Sequence, residues 1–464
     1  MTSSAPETVF APPLQATQRR DAIPALVVPA AVLALLLAAM DATIMGTVLP
    51  NVVADVGGRS GGGYAWLVSG FMLAQVAGTP LAGWAADRLD DRVAAVSATL
   101  VFLTASLLAG FAGSFRTLVM ARMLHGLAAG ALVVSSYVII GRLYGPQRRP
   151  AAQSLLSTVW GIAAVVGPPA GASITAAWGW RWVFFVNVPL CLLVIIGIAV
   201  ALPPKPAAGD RQRPLHRFPT VEYLLITGGT ALILIGMQSS SLGLGTAAGY
   251  VGIAAGLAML PLLRRVGGDL LPRDVFAPTP SGAAAIATIG ACVVMYATMT
   301  VLPVQLAALG ASTTKIAFIV GLSAIGWVLG SAVAGGVLTR YGYRLPLILG
   351  ATALLLSAVC SATGTLPWLA GATAGLGTGM VTAATLALLQ DQAPPERLGI
   401  ATSSATMLRN IGAAAGINGI AALSAALTPS SHRKDPAFWA LAAVAVIAVL
   451  IPAVSAPRQR KTRR

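Results

Sequence analysis

The stretch ALLLAAMDATIMGTVLPN, residues 34–51, places a single carboxylate, Asp41, within a long apolar run. No other charged residue lies between Ala22 and Ala54, and a run of this length can cross a membrane as one helix. An acid held in hydrocarbon is costly and usually marks a substrate, ion or proton pathway. The alternative is an acid near a helix end whose carboxylate reaches water. Because the proton state of a buried acid responds to nearby charge, the first interpretation makes Asp41 a proton carrier.

The composition of the whole chain is that of an all-α polytopic membrane protein. Of its 464 residues, 56% are hydrophobic and 9% are charged, whereas about a quarter are charged in soluble domains. Apolar segments long enough to span a bilayer recur along the chain, and they lack the alternation of barrel strands. The net charge of +16 is spread over short loops between these segments, which favours membrane topology over nucleic-acid binding.

Fourteen membrane-spanning helices are predicted from these segments. They lie at about 24–49, 64–84, 93–114, 117–141, 151–176, 181–202, 220–240, 246–263, 281–307, 314–338, 345–363, 366–389, 399–426 and 437–456. With both termini in the cytoplasm, 22 of the 30 basic residues fall in cytoplasmic loops and six in external loops, as the positive-inside rule requires. We therefore expect a multi-pass protein of the cytoplasmic membrane, and the abundance of Ala, Gly and Arg suggests a bacterial source.

Three short motifs recur at a nearly constant spacing, which predicts an internal repeat. The pairs are TVLP at 47–50 and 300–303, GWAADRLDDR at 83–92 with GGVLTRYGYR at 335–344, and HGLAAG at 125–130 with AGLGTG at 374–379, at offsets of 253, 252 and 249. Two homologous six-helix bundles around a central site are typical of secondary transporters. The predicted organisation is a disordered cytoplasmic N-terminus, an N-terminal bundle, cytoplasmic loops with two inserted helices, a C-terminal bundle and a basic cytoplasmic tail, at 1–21, 22–202, 203–280, 281–456 and 457–464.

Two arginines lie inside predicted spans and need partners there. Arg122, in the fourth span, has Asp41 as the deep acid of its own half, and separating or joining these charges would load or release a proton. His125 lies three residues after Arg122 and so roughly shares its helix face. It is either a proton relay or a hydrogen-bonded packing residue. Arg409, in the thirteenth span, binds either backbone carbonyls or an anionic group of a substrate.

The fifth predicted span contains GIAAVVGPPAGASI at 161–174. Gly161, Gly167 and Gly171 allow a neighbouring helix to approach closely, and Pro168 removes a backbone donor and bends the helix. We interpret the segment as a packing kink that seals the two halves against each other.

A second charged motif follows the second span. Its residues are Gly83, Asp87, Arg88, Asp90, Asp91 and Arg92. The loop is either a solvated charged turn or a latch that binds a helix end across the seam between the two halves. A latch of this kind would stabilise the outward-open conformation.

A central lipophilic cavity is expected between the bundles. Its candidate lining residues are Met45, Met295, Tyr296, Met299 and Arg409. Methionine adapts to varied shapes and aromatic rings attract cations, although the methionines and tyrosine of the ninth span suit packing or lipid contact as well. The sequence offers no nucleophile–base pair, nucleotide loop or metal cluster. We therefore expect no enzyme activity, no cofactor and no metal site, with protons as the coupling ion.

Together these motifs resemble the major facilitator superfamily, specifically its fourteen-helix drug:proton antiporters, over residues 22–457. The matching segments are MDATIMGTVLP, GWAADRLDDR, RMLHG, GPPAGA and WGWRWVFFVNVP. The resemblance implies the major facilitator fold, with two six-helix bundles and two extra central helices, and export of hydrophobic or cationic compounds against inward proton movement. It assigns Asp41 and Arg122 to coupling, Gly167, Pro168 and Gly171 to the antiport helix, and Asp87, Arg88 and Arg92 to the latch.

Some positions depart from the family pattern. Asp90 and Asp91 stand where glycine and a basic residue are usual in the latch, and His125 stands where glutamine is usual. Thr339 replaces the acid of the latch in the second half. The tenth span lacks the deep acid found in some relatives with divalent cationic substrates, which favours monocationic or neutral lipophilic substrates.

Two other functions stay open on the sequence alone. A dedicated exporter of one endogenous antibiotic or lipid would affect a single compound. A non-transporting membrane sensor would leave accumulation unchanged, and the lack of a sizeable soluble domain argues against it. We expect a monomer that interacts with small lipophilic or cationic substrates and with membrane lipids, and not with nucleic acid.

Overall fold

The computed structural model describes residues 15–56, 65–144, 148–202, 218–237, 239, 245–266, 268, 270–427 and 443. The elements described there are helices joined by short connections. In chain order they are α1 Gln15–Val56, α2 Ala65–Arg88, α3 Asp91–Gly110, α4 Phe115–Leu143, α5 Arg149–Trp178, α6 Trp182–Phe185, α7 Asn187–Ala201, α8 Thr220–Met237, α9 Thr246–Val266, α10 Pro280–Ala308, α11 Thr313–Tyr341, α12 Arg344–Thr363, α13 Pro367–Gln392 and α14 Leu398–Leu427. Two short 3-10 helices, Arg273–Phe276 and Pro395–Arg397, precede α10 and α14.

Ten helical stretches within the described residues are long and apolar enough to cross a membrane. The predicted sixth span comprises the short α6 and α7, joined at Val186, and counts as one of the ten. Three further predicted spans fall on α2, α8 and α14, which lie outside the ten. The last predicted span, 437–456, lies outside the described residues apart from residue 443. The count of fourteen therefore stays a prediction.

The two halves of the chain pack in the same way. In the N-terminal half α2 lies against α4, and in the C-terminal half α11 lies against α13. Gly126 in α4 and Gly375 in α13 are 249 positions apart, and a Cβ at either would overlap the backbone of α2 at Phe71 or of α11 at Ser323. Since only glycine permits this approach, the same residue type fixes the same helix pair twice.

The two halves meet along a seam formed by α2 with α14 and by α5 with α11. The latch end of the molecule is the end where α2, α4 and α13 finish and where α3, α5 and α14 begin. The inserted helices α8 and α9 pack on each other, and α8 also contacts α2 and α14. Near the latch end the ring of Phe218, just before α8, lies edge-on to Trp84 at a centroid distance of 5.1 Å.

Candidate functional site

A buried ion pair joins α1 to α4 inside the N-terminal half. Arg122 Nη1 donates to Asp41 Oδ2 over 2.6 Å, and the two side chains are 1% and 3% exposed. The guanidinium carbon also lies 4.3 Å from the ring centroid of Phe71, a cation–π contact. Each charge would be costly alone in an apolar interior, so the pair is stable only while both partners are ionised and close.

His125 extends this pair into a hydrogen-bonded chain. Its Nδ1 lies 3.4 Å from Asp41 Oδ1 and 3.4 Å from Arg122 Nη1. Its Nε2 shares a 2.9 Å hydrogen bond with the hydroxyl of Ser106, whose oxygen accepts from Asn187 Nδ2 at 3.3 Å. The serine hydroxyl can donate to Nε2 or accept from it, so this bond is compatible with either tautomer of the neutral imidazole. In both tautomers Nδ1 faces Asp41 and Arg122, which places the ring beside the ion pair.

Ser106 and Asn187 belong to this hydrogen-bonded network, and neither of them was identified from the sequence. Both are buried, and both come from helices packed beside α4 or α1. Asn187 lies in the quoted segment WGWRWVFFVNVP, whereas Ser106 is one of many hydroxyl residues in apolar spans. Polarity within a span was the available signal, and it did not distinguish Ser106 from its neighbours.

Helix α5 packs closely against α1 just beyond the acid. A Cβ at Gly167 would overlap Thr43 Oγ1, and one at Gly171 would lie 2.7 Å from Ile44 Cγ2. Thr43 Oγ1 also donates to the backbone oxygen of Ala163 over 3.0 Å. Thr43 follows Asp41 by two residues. Because the two helices are closely packed here, a movement of the segment of α1 that carries Asp41 displaces α5 as well.

Helix α5 also contacts the opposite half. A Cβ at Gly161 would overlap Val328 Cγ2 of α11. Pro168 lies within the continuous helix α5, half-buried, between the two glycines that face α1. The segment 161–174 therefore contacts α1 on one side and the C-terminal half on the other.

At the latch end Asp87 binds the first turn of α14 across the seam. Its Oδ1 accepts from the N–H of Gly399 at 2.6 Å and its Oδ2 from the N–H of Ile400 at 2.9 Å. A carboxylate at a helix N-terminus is favoured by the free N–H groups and by the helix dipole. Arg142 at the end of α4 donates to Asp87 over 3.1 Å and also binds Asp91. The structure therefore places the motif against a helix end of the other half.

The remaining motif residues support this contact. Arg88 lies over the ring of Trp84 at 4.7 Å. Asp90 Oδ1 accepts from the backbone N–H of Arg92 over 2.8 Å and forms the N-cap of α3. The two acids that depart from the family pattern thus have structural uses, because Asp90 caps α3 and Asp91 binds Arg142.

Gly83 permits the close approach beneath the latch. A Cβ at this position would overlap the side chain of Ser403 in α14. In the other direction, a Cβ at Gly399 would meet the backbone oxygen of Gly83 and lie 2.7 Å from Asp87 Oδ1. The two helices therefore touch backbone to backbone where the latch closes.

A second set of polar contacts crosses the seam between α5 and α13. Arg149 Nη1 donates to Asp391 Oδ1 over 3.3 Å. Gln153 Nε2 donates to Gln390 Oε1 across the seam, and within the C-terminal half Gln390 Nε2 donates to Thr402 Oγ1 over 2.8 Å. These contacts, with the latch, hold the two halves together at the latch end.

The latch should respond to pH through Asp87, which lies beyond the predicted second span. Burial raises the pKa of Asp87 to about 6 from its ordinary 3.8, although the backbone N–H groups of α14 and Arg142 act in the opposite direction. A raised acid pKa means that the closed latch binds a proton that an opened, solvated Asp87 releases between these values. Closure is therefore most favourable below about pH 4 and weakens as pH rises through 6, by about 3 kcal/mol in total.

Spin labels across the seam can measure this dependence. The closed fraction of the wild type should fall as pH rises from 4 to 7, and Asp87→Asn should remove most of that slope. Asp55 offers a matched control at the other end of the molecule, since hydrogen bonds from Arg181 and Trp180 hold its pKa below the usual range. Asp55→Asn should leave the slope intact. A wild-type closed fraction that does not change over this range would contradict the prediction.

The structure distributes the predicted cavity residues over three places. Met45 is buried in the apolar core near the end of the N-terminal half opposite the latch. Met295, Tyr296 and Met299 pack around Trp327 of α11. Arg409 lines a cavity of about 30 Å³ between the two halves, formed by α4, α5, α10, α11, α13 and α14. Eight of the twelve residues that line this cavity are polar or charged, and the three predicted residues of α10 are not among them. Hydroxyl-bearing residues of α5, α13 and α14 lie there instead.

The comparisons with known proteins agree with this architecture. The model of the Major Facilitator Superfamily matches residues 31–417, with a second match over 284–464. Among solved structures, that of the proton:xylose symporter XylE superposes with a TM-score of 0.66 at 14% sequence identity, covering 94% of this chain and 96% of XylE. A structural similarity at this sequence identity shows a shared fold and no more.

Two curated relatives illustrate the sequence similarity. The multidrug transporter protein MdtP of Bacillus subtilis (strain 168) is 27% identical over 414 residues, which cover 86% of this chain and 75% of MdtP. The multidrug resistance protein B homolog of Mycobacterium tuberculosis (strain ATCC 25618 / H37Rv) is 33% identical over 209 residues. That alignment covers 45% of this chain and 38% of the homolog.

Proposed function

The chain belongs to the major facilitator superfamily, a family of membrane transporters, and we propose that it is a proton-coupled antiporter exporting small lipophilic drugs or antibiotics. Its similarity to proteins named multidrug transporters supports this substrate class. We place it as a monomer in the bacterial cytoplasmic membrane with both termini inside. The latch end then faces the cytoplasm, which agrees with the basic residues of the short loops at that end.

The observation that carries the proposal is the buried ion pair between Asp41 and Arg122, with His125 in contact with both. While Arg122 is close, the carboxylate is stable in its ionised form. When a conformational change separates the two and water solvates the guanidinium, the carboxylate is stable in its protonated form. A conformational change that alters the distance between α1 and α4 therefore exchanges a proton with solvent.

The packing around α5 suggests how that exchange is coupled to substrate. Thr43 ties the segment of α1 that carries Asp41 to α5, and Gly161 of α5 touches α11 in the other half. When the two halves rock about the central cavity, α5 moves relative to α11 and displaces α1. The proton state of Asp41 thereby changes with the side to which the cavity opens. Asp87, at the first turn of α14, holds the cytoplasmic side closed in the conformation described here.

Transport in inside-out proteoliposomes tests the proposal. An acidic lumen should drive uptake of lipophilic dyes, with protons leaving the lumen as dye enters, and a protonophore should stop both movements. Each proton moving down a potential contributes about 2.3 kcal/mol per 100 mV, before any pH gradient is counted. Dye uptake that is indifferent to the gradient would rule out proton coupling.

The same assay separates the proposal from the dedicated exporter. Uptake of several unrelated dyes, each competing with the others, would support a multidrug transporter. Uptake of one compound alone would favour the dedicated exporter, and no uptake of any compound would favour the sensor.

A further inference from the structure

The cavity between the two halves has the wrong charge for a cationic substrate. Its polar lining includes Tyr137, Gln153, Ser157, Thr288, Thr382 and Arg409. Among the residues that line it, none is acidic and Arg409 carries the one formal charge. A site that binds a cation without a carboxylate has only aromatic faces and carbonyl oxygens to offset the desolvation of that charge. This lining is suited instead to an anion or a neutral acceptor.

Arg409 differs from the other arginine inside a span. Arg122 is paired with Asp41 at 2.6 Å, whereas Arg409 makes no ion pair or hydrogen bond within the described part of the chain. Its guanidinium carbon lies 4.8 Å from the ring centroid of Trp160. Eleven residues of helix separate it from the start of α14, or about 17 Å of rise, roughly half the thickness of a hydrocarbon core. Cations at that depth pair with opposite charges or with backbone carbonyls, and the protein residues described supply neither to Arg409.

The repeat places this arginine on the pseudo-symmetry axis. Helices α5 and α14 begin at Arg149 and Leu398, an offset of 249, and Trp160 and Arg409 are separated by the same 249 positions. Equivalent positions on equivalent helices that touch each other must lie close to the axis that relates the two halves. Substrate sites of transporters built from repeats lie at the repeat interface near the membrane midplane.

Two buried polar atoms near Arg409 lack hydrogen-bond partners among the described residues. Within the described residues, the buried indole N–H of Trp160 and the Oε1 atom of Gln153 make no hydrogen bond, and Gln153 is 4% exposed and lines the cavity. Buried polar atoms are nearly always paired. An anionic group that accepts from Arg409 and from the indole N–H would satisfy two of these groups, and a separate hydroxyl or N–H donor on the same ligand would satisfy Gln153 Oε1.

From these observations we infer that the substrate is an amphipathic aromatic anion, a planar ring system bearing a carboxylate, sulfonate or phenolate. The inference rests on the proposed export function. The anionic group binds the guanidinium of Arg409, and the ring lies against Trp327, which lines the same cavity. The cavity of about 30 Å³ holds about two water molecules, and drug-sized ligands fill roughly 300–1,000 Å³. Binding therefore requires the halves to move apart from the conformation described.

Binding of three matched probes tests the inference directly. The probes are 1-pyrenesulfonate, 1-pyrenemethanol and 1-pyrenemethylammonium, which share one ring system and carry a negative, zero and positive charge. Dissociation constants come from quenching of tryptophan fluorescence in detergent, with protein-free micelles subtracted. The sulfonate should bind about tenfold or more tightly than the alcohol, as for a hydrogen bond between charged groups, and the ammonium should bind most weakly.

Variants at two arginines complete the test. Arg409→Gln should erase the preference for the sulfonate, and Arg409→Lys should keep part of it, which separates loss of charge from loss of fold. Arg116→Gln removes an exposed arginine at the start of α4 and should preserve the wild-type order of affinities. The inference is overturned if the ammonium binds as tightly as the sulfonate, if Arg409→Gln leaves the order unchanged, or if none of the three probes binds the wild type.

Charge movement distinguishes this inference from the proposed function. Export of a monoanion carries one extra positive charge inward, so the net inward charge per substrate should exceed the number of protons per substrate by one. A neutral substrate gives equality, and a monocation gives a deficit of one. Proton-coupled uptake with equality or a deficit would overturn the anionic substrate while preserving the antiporter, whereas uptake without proton movement would overturn the antiporter itself.

Discussion

Replacing Asp41 with asparagine should abolish substrate accumulation driven by the proton gradient while preserving exchange of substrate across the protein. The amide has the shape of the acid and can still accept a hydrogen bond from Arg122, but it cannot carry a proton. For the wild type, one proton per cycle at 100 mV supports roughly a fifty-fold concentration ratio, from about 2.3 kcal/mol. For Asp41→Asn we expect no accumulation above equilibrium, measured in proteoliposomes beside counterflow of labelled substrate.

The stability of this variant must be separated from its transport. Asparagine leaves the guanidinium of Arg122 buried without a counter-charge, and breaking one side of a buried ion pair costs about 3–5 kcal/mol. The double variant Asp41→Asn with Arg122→Gln removes both charges and should recover much of the thermal stability in detergent. It should still fail to accumulate substrate. Asp55→Asn, at an exposed ion pair with Arg181, is a matched control and should transport normally.

Two results would count against the role of Asp41. Accumulation by Asp41→Asn at the wild-type ratio would show that the proton is carried elsewhere. Recovery of accumulation in the double variant would show that Asp41 acts by neutralising Arg122 and not by titrating.

The sequence was sufficient to pair Asp41 with Arg122 because a charge in hydrocarbon has few alternatives. One deep acid and one deep base in the same half leave a single economical arrangement. Ser106 and Asn187 could not be found in this way. Serine and asparagine occur in helices for many reasons, and their relation to His125 depends on how α3 and α7 are rotated against α4.

The other contacts show the same limit in different forms. The charged motif indicated that Asp87 binds a helix end. Its partners could not be predicted, because they are the backbone N–H groups of Gly399 and Ile400, and every residue type except proline carries such a group. The sequence did not predict the residues that line the cavity. A span that is apolar on all sides has no distinct polar face, so its sequence does not indicate which side of the helix faces the cavity. The methionines of α10 accordingly pack around Trp327, while hydroxyl residues face the cavity.

Substituting alanine at Gly83 or Gly399 should force the latch open. At Gly399 the added methyl would overlap the backbone oxygen of Gly83, and at Gly83 it would overlap Ser403. Overpacking of this kind costs about 1–3 kcal/mol, and each 1.4 kcal/mol changes a conformational ratio about tenfold. We therefore expect the ratio of closed to open protein to fall by about five- to one-hundred-fold, with the larger effect at Gly399, where the nearest atom is a backbone oxygen and not a side chain that can rotate away.

Spin labels at Leu89→Cys and Glu396→Cys would report the separation of α2 from α14, since both positions are exposed. The native cysteines at 191, 292 and 360 are buried and should label poorly.

Gly336→Ala is the matched control, because it is also a helical glycine and its Cβ would meet open space. Gly83 and Gly336 lie inside their helices and gain about 1 kcal/mol of helix propensity on substitution, whereas Gly399 lies in the first turn of α14 and gains less. The difference between Gly83→Ala and Gly336→Ala therefore isolates the steric effect. Longer distances in Gly83→Ala and Gly399→Ala, with none in Gly336→Ala, would establish that contact of the two backbones holds the cytoplasmic side closed. Unchanged distances in Gly399→Ala would mean that the contact between α2 and α14 accommodates the added methyl group. The prediction would then be wrong, and the latch would depend on Asp87 alone.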